Sequence, residues 1–321
     1  MPFISPILAY IGRHSAAAYA LSVFLGLALP QLAATLRPIL PVTIFIFILL
    51  AFARANLPGL KAVFARPGRI GAGLLLSTLL PPLVGFALVK GLEMAGIDPA
   101  IRLAIALMAA APPLMASPVY AALLGIENSF ALTILVLGMV LAPLASPMIA
   151  SLLAGADVPI SPFTLAERIA LFIGGGMIAG LVTRRLVGTA RITAIKSELD
   201  GLGVVLFFLF AIAAMDGVIE TSLRAPLLMA GMLALSCLVA AVNFALAYWL
   251  ATPFGFNDRF ALAIGISLRN MGLLMAPIIS LVPQPTFLYF ALAQIPIYVA
   301  PVILKAVKAR LEPRAIRETQ G

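Results

Sequence analysis

The chain has 321 residues, 63% hydrophobic and 10% charged, with a formal charge of +9. Soluble domains carry roughly 25% charged residues, so this composition excludes a soluble globular domain and marks a polytopic membrane protein. The positive balance does not imply nucleic acid, because the basic residues sit in short loops between apolar runs, where membrane topology accounts for them.

Ten apolar runs of spanning length follow one another at about 15–34, 38–54, 69–90, 101–123, 128–153, 165–184, 200–220, 225–250, 259–281 and 285–308. The first is read as a true spanning helix and not as a cleaved signal. With the N-terminus inside, the inner segments hold fifteen Lys and Arg residues and the outer segments five, with Arg269 left within the membrane. The positive-inside rule then gives ten helices with both termini cytoplasmic, in the cell membrane, expected to be a bacterial inner membrane. Tyr248 and Trp249 fall where the eighth run meets the inner interface, as an aromatic anchor would. The loops are short, so 1–321 reads as a single membrane domain ending in a basic tail, 311–321, that serves as a topology signal beside the lipid. Cys237 is the only cysteine and His14 the only histidine. Neither supports a disulfide or a metal site, and no cofactor is expected.

The ninth run carries Arg269, Asn270 and Gly272 in its middle. A charge at that depth costs at least ~2.5–3.5 kcal/mol on insertion scales and belongs in a bundle interior or a watery cavity. No Asp or Glu is expected at the same depth; Asp216, the best candidate partner, lies too near the end of the seventh run. An arginine without a counter-ion invites an anionic ligand.

The fourth run matches the ninth at an offset of 157: Arg102 with Arg259, Ala104 with Ala261, Ala106 with Ala263, Leu107 with Ile264, and Pro112-Pro113 with Arg269-Asn270. At helical rise, each disruption lies roughly 15 Å beyond its arginine, half of a ~30 Å core. Both breaks are therefore expected near the midplane, with Pro112, Pro113 and Pro118 unwinding the fourth run. Five runs per repeat is an odd number, so the halves, about 10–155 and 162–310, are expected to run inverted. Paired broken helices in inverted repeats are a design of secondary transporters. Pro81-Pro82 and Pro143 are read as ordinary kinks.

Three segments carry a family resemblance: Leu74 to Phe86; Ala116 to Ser129 with Leu141 to Pro147; and Asn257 to Leu273. They resemble the bile acid:sodium symporter family, within the bile/arsenite/riboflavin transporter superfamily, and the likeness extends over nearly the whole length. It implies an all-α fold of ten helices in two inverted five-helix repeats, with broken helices four and nine crossing. It also implies a core domain (runs 3–5 and 8–10) moving against a panel domain (runs 1, 2, 6 and 7), with substrate between them beside the crossing. Sodium-coupled members have a Ser-Asn pair where this chain has Ser117-Pro118, a Glu and a Gln where it has Gly265 and Arg269, and a Gln where it has Ser77. Ser117, Asn270 and Thr133 are what remains of the pattern. The resemblance thus implies that most of both sodium sites is lost.

The expected function is secondary transport of a small organic anion by alternating access, without the two-sodium mechanism. Arg269 either locks the crossing as a tethered cation or contacts the substrate carboxylate. Asn270, Ser267, Ser117, Pro118, Ser77, Thr133 and Gly265 complete the lining. A sodium-coupled symporter with altered sites and a receptor on the same fold are the alternatives. An intramembrane enzyme lacks a zinc motif, paired aspartates and a Gly-x-Ser-x-Gly elbow. A channel would need polar residues at more than one depth. Arsenite ranks low as cargo, because carriers resembling this fold use a cysteine in the fourth-run region and none is present there.

Overall fold

The structure, a computed structural model, describes residues 24–54, 67–126, 129–155 and 161–312. Every regular element among them is helical, as a lipid-facing chain requires if its backbone is to satisfy its own hydrogen bonds. Seven helices among the described residues are long and apolar enough to cross a membrane. They are α1 (Pro30–Ala53), α2 (Pro67–Met94), α5 (Ser129–Ala154), α6 (Pro162–Val187), the pair α8 (Lys196–Ala214) and α9 (Val218–Arg224), α10 (Pro226–Leu250) and α13 (Gln284–Leu311). A short α7 (Thr189–Ala194) links α6 to α8.

The fourth and ninth runs are absent from the seven because each is divided. The fourth forms α3 (Pro99–Ala110) and α4 (Ser117–Leu123); the ninth forms α11 (Phe256–Ser267), α12 (Met271–Met275) and a 3-10 turn, Ala276–Ile278. Both first halves have 12 residues, and both begin and end 157 positions apart. The first part of the first run, up to residue 23, the loop carrying Lys61 and Arg66, and the tail from 313 lie outside the described residues.

The sequence separates the first two runs around Arg37. There the structure has a 3-10 turn, Arg37–Ile39, between Pro30–Leu36, which follows helical residues 24–28, and Leu40–Ala53. Pro30 sits in the first turn, where its missing N–H costs nothing. Arg37 is tolerated inside the helix because it pairs with Asp216 at 2.9 Å. Proline starts several other helices in the same way, at Pro99, Pro162 and Pro226. Asp98 and Ser161 add side-chain caps to Ala100 N–H (2.8 Å) and Thr164 N–H (3.2 Å).

The helices pack in two sets. α1 packs against α6 and α8, α2, α3 and α5 pack on one another, and α10 packs on both α11 and α13, while α5 and α6 pack together where the sets meet. α3 also packs against α13, and α11 against α5, so the two broken helices each reach into the other half. α1 and α8 are joined at both ends, by Arg37–Asp216 and by Arg54–Asp200. Between α1 and α6 the approach is close enough that a Cβ on Gly180 would lie 2.5 Å from the Leu49 carbonyl oxygen. Backbone cannot yield there as a side-chain tip would. Gly180→Ala is expected to destabilise the protein by about 1–3 kcal/mol, the usual cost of overpacking, read as a lower melting temperature in detergent.

Candidate functional site

The two breaks meet. Ala111 ends α3 in an extended conformation (φ −65°, ψ 148°), as a residue before proline prefers. Leu268 ends α11 in the same region (φ −106°, ψ 114°). The unwound segments then cross antiparallel, with Pro113 opposite Arg269. Leu114 N–H donates to the Leu268 carbonyl and Asn270 N–H to the Pro112 carbonyl, both at 2.9 Å. Backbone polarity freed inside a membrane is tolerated only when buried and paired in this way. Helix α5 supports the crossing from one side. Ser146 Oγ donates to the Ala110 carbonyl at 2.7 Å, and Gly138 leaves room for Pro113, whose Cδ would lie 2.9 Å from a Cβ at 138.

Pro118 does not unwind the fourth run as expected. It occupies the first turn of the resuming helix α4, where proline fits without loss. Asn270 caps α12, with its Oδ1 accepting from Leu273 N–H at 3.3 Å, and so serves the fold directly.

Arg269 is 4% exposed. Its Nη1 donates to the Ser77 carbonyl of α2 at 3.1 Å and lies 3.5 Å from Ser77 Oγ. That carbonyl would ordinarily accept from the N–H four residues on, but residue 81 is proline and has none. Pro81, read from the sequence as an ordinary kink, thus supplies the acceptor for Arg269. The same device recurs in α13. Pro301 leaves the Ile297 carbonyl without its helical donor, and Tyr120 Oη of α4 donates to it at 3.1 Å. No carboxylate among the described residues pairs with Arg269, and its Nε has no hydrogen-bond partner among them. Asp216 is engaged by Arg37 instead. In the chain Arg269 follows the carboxyl end of α11 by two residues and lies opposite Pro113, which follows that of α3, and helix carboxyl ends favour a cation.

The other expected site residues fall on two sides of the crossing. Ser267 Oγ donates within its own turn, to the Ile264 carbonyl at 3.1 Å. Ser267, Arg269, Met108 and Ser236 line one small cavity of about 10 Å³. Ser117 is 1% exposed and its hydroxyl lacks a partner among the described residues. It faces Gly265, where a Cβ would lie 3.6 Å from Ser117 Oγ. Those two residues line a second cavity of about 10 Å³ with Pro113, Ala131 and Ile134. Thr133 is fully buried and donates to the Ser129 carbonyl of its own helix at 2.8 Å. Each cavity is the size of one water, so neither admits an organic anion in this conformation.

Sequence reading missed Ser146, Tyr120 and the carbonyls of Ser77 and Ile297. For the carbonyls the signal was present, as a proline four residues downstream. The Ser146 contact is testable alone: Ser146→Ala leaves a buried carbonyl unpaired and is expected to destabilise by about 1–3 kcal/mol, read as a fall in melting temperature.

Among known families, the model described as the Sodium Bile acid symporter family matches residues 40–223, from within α1 to the end of α9 and more than half of the chain. No curated protein matches the chain.

Proposed function

This chain belongs to the sodium bile acid symporter family, so it is a membrane transporter and not an enzyme, and we propose that it moves a small organic anion by alternating access without sodium coupling. The carrying observation is the seating of Arg269. Its backbone stands in the crossing that follows the carboxyl ends of α3 and α11, and its guanidinium takes a carbonyl that Pro81 releases. Half-helix carboxyl ends and unwound carbonyls are the groups that hold coupling cations in transporters with broken helices. In this chain a covalently attached cation takes that place.

Of the two roles open to Arg269, the structural one is favoured over contact with the substrate carboxylate. The side chain is buried, its acceptor is backbone, and the adjoining cavity is water-sized. The inverted-repeat reading is supported by the matched lengths and offset of α3 and α11 and by their reciprocal packing on α13 and α5. The packing of α1 with α6 and α8, and of α2, α3 and α5 on one another, with α5 and α6 as the junction, supports a panel moving against a core. The distribution of Lys and Arg supports cytoplasmic termini.

The test is uptake into proteoliposomes of labelled taurocholate, pantoate and short keto acids, in sodium or potassium at equal ionic strength. Equal uptake in the two salts is expected for the transported anion, and a strict sodium requirement overturns the proposal. In the same assay Arg269→Ala is expected to lower uptake by about tenfold or more, since it leaves the converging helix ends without a cation. Unimpaired uptake by that variant removes the role assigned to Arg269.

A further inference from the structure

A second arginine, far from the crossing in sequence, holds the two helix sets together at one face of the membrane. Arg37 makes three contacts at once: Nη1 lies 2.9 Å from Asp216 Oδ2 and 3.1 Å from Gln284 Oε1, and the guanidinium stacks 4.0 Å above the Phe287 ring. Arg37 and Asp216 belong to the set of α1, α6 and α8, whereas Gln284 and Phe287 open α13 in the other set. Asp216 is available because α8 stops at Ala214 and the chain turns through Gly217, at φ +75°. That glycine also receives Gln284, whose Nε2 would lie 2.5 Å from a Cβ at 217. A nearby contact crosses in the same direction: Arg168 Nη1 of α6 donates to the Pro277 carbonyl at 3.3 Å. Both arginines therefore grip 277–287, the segment that joins the broken ninth helix to α13.

We propose that Arg37 is the latch of a gate closing the face at which α13 begins. The inference rests on the alternating-access reading above. The asymmetry of the three contacts is what suits a latch. When the two sets part, Arg37 keeps Asp216, because both sit on the same set, and gives up only Gln284 and Phe287. No charge is left bare, so opening avoids the penalty of breaking a buried ion pair. What is lost is one hydrogen bond from a charged donor and one cation–π contact, enough to hold a gate and weak enough to release it. Leu288 lies beneath this contact, 3% exposed, with Cδ2 3.7 Å from the Cβ position of Gly217.

The test follows accessibility at Leu288. In a Cys237→Ser background, which removes the only native cysteine, Leu288→Cys is labelled with a hydrophilic maleimide in proteoliposomes. Labelling is expected to be slow in that parent and faster by about tenfold or more when Arg37→Ala is added. Phe287→Leu and Gln284→Ala, which leave the Arg37–Asp216 pair in place, are expected to give smaller rises. Should Arg37→Ala fail to fold, Phe287→Leu decides the question alone. An Ile264→Cys reporter, buried in α11, controls for general loosening and is expected not to change. Unchanged labelling at Leu288, or an equal rise at Ile264, overturns the proposal. The readout needs no substrate, so it separates from the transport reading. Accelerated labelling in a protein that moves none of the probe anions leaves the latch standing and removes transport.

Discussion

The carboxyl ends of two twelve-residue helices meet inside this protein, and that meeting constrains everything around it. Each end carries roughly half a negative charge, and water cannot screen it there. A cation is favoured there, and on the reading proposed above Arg269 supplies it from the crossing strand itself. The magnitudes are comparable. Inserting a charged arginine costs about 2.5–3.5 kcal/mol; a hydrogen bond from a charged group returns about 1.5–3 kcal/mol. Each helix end adds up to about 2 kcal/mol in a partly buried setting. An isolated arginine in an apolar helix would be a liability, whereas one between two helix ends is close to balanced.

Proline prepares the site by subtraction. Pro112 and Pro113 end α3 and release backbone for the crossing. Pro81 and Pro301 leave two long helices unbroken but strip one carbonyl in each of its donor, and each freed carbonyl is claimed by a side chain from a broken helix of the opposite half. The crossing is thus tied into α2 by Arg269 and into α13 by Tyr120. Ser146 closes the remaining gap at Ala110. Little of this uses charge–charge pairing, in keeping with a chain that is only 10% charged.

Much of this frame was legible in the sequence, because hydropathy, proline and a misplaced arginine are local signals. The paired breaks at Pro112-Pro113 and Arg269-Asn270 fall where the offset of 157 put them. What escaped reading depended on partners distant in the chain. The charge of Arg37 between the first two runs is held by Asp216, 179 positions away. Pro118 looked like a third breaker, since its position relative to the resuming helix is not visible from composition. Pro81 looked like a kink because a freed carbonyl acquires meaning only once Arg269, 192 positions from Ser77, is known to reach it. Ser117 and Gly265 were singled out by resemblance, and they do lie together, around a space large enough for one water.

The family matched by residues 40–223 takes its name from sodium coupling, and the proposed mechanism departs from that name at one residue. If Arg269 is the cation of the crossing, the purified protein has no vacancy for another at that point. The direct measurement is its melting temperature in sodium against potassium at constant ionic strength, without added substrate. A cation fixed at Arg269 predicts the same melting temperature in both salts across the millimolar range. A sodium-specific, saturable rise would show that a sodium site survives beside Arg269, and would contradict it.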